Sequence, residues 1–174
     1  VHGCRETQTR LLARIAEDAA AAGAGGTDGP TVRLVFLGDY VDRGPDPAGV
    51  VDDLLRLARE GLAGVGPVET VFLRGNHEDF LLRFLAGELE TGEVWLMNGG
   101  AETLSSFGVD PPGLLAGADE LARAREELAA ALEGPPRRFF EETALSHEAG
   151  DYLFVHAGVR PGVALSAQRA DDLM

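Results

Sequence analysis

Lysine is absent from the 174 residues and cysteine and tryptophan occur once each. No apolar run approaches the roughly 18 residues that a membrane span needs. The single cysteine, Cys4, excludes an internal disulfide and a cysteine-built zinc cage, and it fits a reducing, cytoplasmic setting. All 15 basic residues are therefore arginine, and they face 29 acidic ones for a formal net charge of -14. That balance disfavours a nucleic acid or an anionic membrane as partner. No secretory leader is visible at Val1, and the opening Val1-His2-Gly3 reads as a chain cut at its N-terminus.

What is present suffices for one core. With 45% hydrophobic and 25% charged residues, the length suits a single domain over 1–174 and is short for two. An acidic field repels phosphorylated substrates, so any such substrate needs a local reversal of sign, which a multivalent cation provides.

Along the chain, Leu12, Ile15, Ala19 and Ala22 recur at helical spacing within Glu6–Ala22, and Gly23 to Pro30, in an Ala/Gly-rich stretch, ends that helix in a loop. Thr31–Leu37 is a compact apolar run that predicts a buried strand. Asp46 can cap and Pro47 can open a second helix, with Val51, Leu54, Leu55 and Ala58 inward and Gly61 just past its end. Glu69–Leu73 predicts a second strand, followed by a helix through Phe80 to Leu85. Leu89–Phe140 lacks strand patterning and reads as a helical insertion, with one helix over Asp119–Leu132 and Asp119 and Arg123 spaced to support its exposed face. Ala144–His147 and Tyr152–Val155 flank Glu148–Asp151 as a hairpin.

Three apolar strands end in ligand-type residues: Asp39 and Asp42 after the first, Asn76 and His77 after the second, His156 after the third. In open α/β sheets the loops beyond the carboxyl ends of the strands converge on a ligand crevice. A set of two imidazoles (His2, His156), a carboxylate and a carboxamide suits Mn, Fe or Zn better than Ca or Mg. Asp39 is the natural bridge between two cations, which together can activate water and clamp a phosphoryl group. Arg43 offers a planar fork for phosphate oxygens.

The blocks Gly38-Asp39-Tyr40-Val41-Asp42-Arg43-Gly44, Arg74-Gly75-Asn76-His77-Glu78 and His156-Ala157-Gly158, in this order after His2-Gly3, resemble the calcineurin-like metallophosphoesterases. Within them they resemble the bacterial branch of the serine/threonine phosphoprotein phosphatases. Trp95 to Gly108 is also similar to bacterial members. The resemblance implies an αββα sandwich with a helical insertion at about 89–140 and a dinuclear site. His2 and Asp39 would hold one metal, and Asp39, Asn76 and His156 the other, with Mn favoured and Fe or Zn as alternatives. His77 would protonate the leaving serine or threonine oxygen, oriented by Asp42, while Arg43 and Asn76 grip the phosphate of a phosphorylated protein or peptide. Metal-bound hydroxide would attack phosphorus in line, without a phosphoenzyme.

The family pattern also includes an Asp two positions before His2, and a Gly-His pair and a second phosphate-binding Arg after the last block, all outside this sequence. The domain is accordingly expected to be incomplete at both termini, and this polypeptide alone to bind metal weakly and turn over slowly. Two other functions fit the same residues. One is a dinucleoside polyphosphate (diadenosine tetraphosphate) hydrolase, against which Tyr40 and Asp42-Arg43-Gly44 weigh. The other is a non-catalytic phosphate-binding module, against which His77 weighs. His147 is assigned to structure, Glu78, Asp79, Glu88, Glu90 and Glu93 to helix surfaces, and Trp95, Phe139 and Phe140 to packing.

Overall fold

A computed structural model describes residues 1–24, 29–113 and 116–174. Strand β1 (Arg33–Phe36) pairs in parallel with β2 (Glu69–Phe72), from Arg33 opposite Glu69 to Phe36 opposite Phe72. A parallel pair needs a crossover, and helix α2 (Pro47–Glu60) provides it. Beyond β2, Leu73 bridges to Ala144, which carries the chain to the antiparallel hairpin of β3 (Ser146–Ala149) and β4 (Tyr152–Val155). The result is the expected mixed α/β architecture, with two strands in each sheet among the described residues.

Helix α1 (Arg5–Ala21) precedes β1, and α3 (Asn76–Leu85) follows β2 directly. Between 89 and 141 the described elements are helices, α4 (Leu89–Trp95), α5 (Ala101–Ser106), α6 (Ala118–Ala131) and α7 (Pro135–Glu141), and Leu96–Gly100 joins the first two through a kink at Gly99. A short α8 (Ala170–Leu173) closes the described chain. Part of the Ala/Gly-rich loop expected before β1, residues 25–28, lies outside the described residues. No described helix is long and apolar enough to cross a membrane.

The fully buried core belongs to the helices rather than the strands. Val50, Val51 and Leu54 of α2 meet Leu81 and Phe84 of α3, Trp95 of α4, Leu104 of α5, Leu128 of α6 and Phe140 of α7. Each such side chain contributes about 1.5–3 kcal/mol by leaving water. The expectation that Thr31–Leu37 forms a buried strand is corrected: Leu34, Val35 and Phe36 are half-buried and Leu37 is exposed. β1 is hydrogen-bonded along one edge alone among the described residues, so the apolar run is covered only in part.

Other expectations shift by physical detail. Asp46 does cap α2, its Oδ1 accepting from the Gly49 N–H at 2.9 Å, but Leu57 rather than Ala58 completes the buried face. The hairpin turn is tighter than Glu148–Asp151, because Glu148 and Ala149 pair with Leu153 and Tyr152. Arg123 pairs with Glu127, not Asp119.

One ion pair fixes α1 against α2. Arg5 donates Nε to Asp53 Oδ2 at 2.8 Å and Nη2 to Oδ1 at 2.9 Å, and Arg56 adds a third donor at 2.6 Å. Asp53 is 7% exposed, and the Arg5 hydrogen bonds hold its carboxyl below the usual range. A depressed carboxyl contributes stability above its unfolded pKa of about 4, and loses it as pH falls through the lower folded value. Asp53→Asn is expected to cost about 1–2 kcal/mol at pH 7. Urea unfolding at pH 7 and again near pH 3 checks this, the gap between variant and parent narrowing at the lower pH.

Candidate functional site

The ends of β1, β2 and β4 open onto one place, and the N-terminal residues join them. The His2 N–H donates to the Asp39 carbonyl at 2.8 Å and the Gly3 N–H to the Tyr40 carbonyl at 2.9 Å. Among the described residues, the non-glycine positions with left-handed φ are His2 (46°), Asp39 (57°), Asp42 (69°) and Arg43 (64°). Such backbone costs on the order of 1–3 kcal/mol per residue and persists only where its surroundings enforce it. All four belong to the set that the sequence singles out.

Asp39 stands between two imidazoles. Its Oδ2 lies 3.2 Å from His2 Nε2 and its Oδ1 lies 3.5 Å from His156 Nε2. In both rings the other nitrogen faces a backbone carbonyl, His2 Nδ1 that of Val41 at 3.3 Å and His156 Nδ1 that of Leu37 at 2.6 Å. A ring whose Nδ1–H is engaged in this way presents Nε2 as a lone pair, the usual arrangement of a metal-binding histidine. Burial pushes the His2 imidazole below its ordinary range against the pull of Asp39, which favours the neutral, ligating form. Asp39 Oδ1 is buried and takes no hydrogen bond. An orphaned carboxylate oxygen between two outward-facing lone pairs is a poor arrangement for an empty protein and a suitable one for a divalent cation, so the residues fit a metal centre.

His77 also belongs to this cluster. One of its nitrogens lies within 4.8 Å of the ligand atoms of His2 and Asp39, and its ring meets that of His2 edge-on with centroids 4.7 Å apart. Its Nδ1 is 2.6 Å from Asp42 Oδ2, and both side chains are buried. Burial works against protonation of His77, but the hydrogen bond and charge of Asp42, with the charge of Asp39, hold its proton affinity above the ordinary range. The Asp42 carboxylate takes two further donors, Trp95 Nε1–H on Oδ2 at 2.8 Å and the Thr103 hydroxyl on Oδ1 at 2.5 Å.

Arg43 sits at the exposed rim. Its Nε donates to the Asn98 carbonyl at 3.3 Å, its backbone N–H to that of Gly99 at 3.1 Å, and its Nη1 is 3.4 Å from His2 Nε2. Gly99 has φ 104°, and a Cβ there would fall 2.7 Å from Arg43 Cγ. Asn76 is the first residue of α3 and half-buried. The preceding Gly75 backs directly on the cluster, since a Cβ at that position would lie 2.3 Å from Asp39 Oδ1 and 2.9 Å from His156 Cε1. A cavity of about 780 Å³ between α1, α2 and the Gly61–Gly66 loop is lined by none of these residues.

Two parts of the arrangement go beyond the sequence reading. The placement of Glu78 on a helix surface is corrected: its side chain is fully buried, and its carboxylate accepts from the backbone N–H groups of Asp39 (2.7 Å), Tyr40 (2.8 Å), Gly75 (3.0 Å) and Val41 (3.4 Å). Burial pushes its carboxyl up, opposed by those N–H groups. The signal was available, because Glu78 is the third residue of α3, from which a glutamate characteristically reaches back to the capping N–H. Trp95 and Thr103, by contrast, come from the helical stretch 89–140, and nothing in their spacing points at Asp42. Glu78→Gln places an N–H₂ against donors, so unfolding free energy should fall by about 2–4 kcal/mol. Urea denaturation of the two proteins checks it, and metal content after dialysis against Mn should fall in parallel.

Comparison with curated protein sequences finds no match. The model of the calcineurin-like phosphoesterases matches residues 1–162, from the His2 turn through the loop after His156. The chain therefore belongs to the calcineurin-like phosphoesterase family, the metal-dependent hydrolases of phosphoesters.

Proposed function

We propose that this phosphoesterase is a protein serine/threonine phosphatase whose site is made of His2, Asp39, Asp42, Arg43, Asn76, His77 and His156. The observation that carries the reading is His77, fixed by a buried carboxylate through one nitrogen and placed beside the Asp39 cluster, with a guanidinium at the rim. In this reading His2 and Asp39 would hold one divalent cation, and Asp39, Asn76 and His156 the other, with Mn, Fe and Zn all compatible with the donor set. When bound, the cations neutralise phosphoryl charge and make the attacking water more acidic. The protein's own residues do the remainder.

Arg43 and the Asn76 carboxamide orient the phosphoryl oxygens, so that water attacks phosphorus opposite the serine or threonine oxygen. As the new P–O bond forms and the old one breaks, His77 gives its proton to the leaving oxygen, and the proton released by the water returns to His77 through solvent. Asp42 stays ionised and keeps the imidazole oriented. The raised proton affinity of His77 suits this role, since an alkoxide is a poor leaving group.

A phosphorylated protein fits better than a dinucleoside polyphosphate, because Arg43 is exposed at the rim and the cavity between α1 and α2 is built by other residues. A cytoplasmic setting is part of the same reading, supported by the unpaired Cys4. Phosphate release from a phosphothreonine peptide and from a dinucleoside tetraphosphate, each with and without Mn, tests it. Mn-dependent release from the peptide alone is expected, and preferential cleavage of the tetraphosphate overturns the protein substrate. His77→Asn should lower peptide turnover by roughly 10²–10⁴-fold, with KM little changed.

A further inference from the structure

Asp42 is bound more completely than orienting one histidine requires. Of its two carboxylate oxygens, Oδ2 accepts from His77 Nδ1 and from the Trp95 indole N–H, while Oδ1 accepts the Thr103 hydroxyl. The same Thr103 oxygen accepts the Asp42 backbone N–H at 2.9 Å, so one hydroxyl clasps both ends of the residue. Asp42, Trp95 and Thr103 are all 0% exposed. Every contact on the carboxylate is a donor, which keeps it an acceptor, and no water can replace a lost partner.

Asp42 also has left-handed backbone at φ 69°, a region uncommon for residues other than glycine, although aspartate enters it more readily than most. Something must hold it. Within the turn the Gly44 N–H returns to the Asp42 carbonyl at 2.6 Å, while the N–H of the equally left-handed Arg43 bonds outside it, to the Gly99 carbonyl. The remaining supports come from α4, the kinked segment Leu96–Gly100 and α5: Trp95 ends the first, the Gly99 carbonyl lies in the second, and Thr103 lies in the third. Gly99, at φ 104° and ψ 17°, is non-helical and kinks the chain between α4 and α5. That kink separates the indole and the hydroxyl so that they reach different oxygens of one carboxylate.

We propose that Thr103 and Trp95 are positioning residues for the phosphoester cleavage, setting His77 as proton donor by clamping Asp42. The proposal rests on His77 acting as the general acid. It assigns the helical stretch after α3 a part in the chemistry, distinct from covering the core. Neither residue touches substrate or metal in this scheme. Their effect passes through the orientation of one carboxylate, and hence of one imidazole.

The leaving group separates positioning from mere packing. Cleavage of a phosphothreonine peptide needs a proton on the departing alkoxide, whereas p-nitrophenolate departs without one. Thr103→Val, which keeps shape and removes the hydroxyl, is expected to lower kcat for the peptide roughly 10- to 100-fold with KM little changed, and to lower p-nitrophenyl phosphate turnover far less. Trp95→Phe should act in the same direction, and it carries the test if the valine variant does not fold. Thr103→Ser restores the hydroxyl and should recover most of the peptide activity.

A second readout needs neither metal nor turnover. The His77 Nδ1 proton, hydrogen-bonded to a buried carboxylate, should give a sharp far-downfield resonance in the full chain, lost or broadened in Thr103→Val and Trp95→Phe and kept in Thr103→Ser. Equal losses on both substrates with the resonance unchanged overturn the proposal. His77→Asn measured beside them tests the reading underneath. If it also affects both substrates equally, the acid role falls and the catalytic claim for Thr103 and Trp95 falls with it. If it spares p-nitrophenyl phosphate and the clamp variants do not, only the clamp is overturned.

Discussion

The buried carboxylate of Glu78 joins what the chain makes separately. The loop after β1 and the loop after β2 are about 35 residues apart in sequence, and each exposes backbone N–H groups where its strand ends. Glu78 accepts from both, taking Asp39, Tyr40 and Val41 on one side and Gly75 on the other. Because it sits in the first turn of α3, the carboxylate also satisfies the helix end and meets the positive end of the helix dipole. Tyr40 reinforces the join from below, its hydroxyl lying 2.8 Å from the Leu73 carbonyl and 3.2 Å from that of Phe36. With the two loops fixed to each other, Asp39 has no freedom to turn away from His2 and His156.

From that join the centre is layered outward. Asp39 offers a separate oxygen to each of two imidazoles, and each imidazole is oriented by a backbone carbonyl. His77 approaches from the start of α3 with its far nitrogen tied to Asp42, and Asp42 is tied in turn to the helical stretch behind it. The left-handed backbone at His2, Asp39, Asp42 and Arg43 is the conformational cost of packing these groups together. The ion pair of Arg5 with Asp53 keeps α1 against α2 and so keeps His2 beside the turn that carries Asp42.

Much of this was legible from residue order. Ligand-type residues after three apolar runs place a centre at strand ends in an α/β chain, and glycines beside them permit the close approach seen at Gly75. Asp46 and Pro47 mark the start of α2 because capping chemistry is local. Even Glu78 left a local trace, as the glutamate at the third position of a helix. Burial is what residue order does not carry: Glu78 is fully buried rather than on a helix surface, Ala58 is exposed rather than inward, and the apolar run Thr31–Leu37 is covered only in part.

The sequence by itself determined the chemistry of the donor set, the helix starts and the α/β class, because caps, periodicity and ligand types are properties of a few adjacent residues. Tertiary structure decided which carboxylates are buried and what they bind. Asp42 and Glu78 look alike as charges in a motif, yet one is clamped by an indole and a hydroxyl from residues 95 and 103 and the other by backbone N–H groups. Those partners are set by how α4, the kink at Gly99 and α5 pack on α2 and α3. No short-range pattern carries that information, since the hydrogen bonds form only after the apolar faces of distant helices have been brought together.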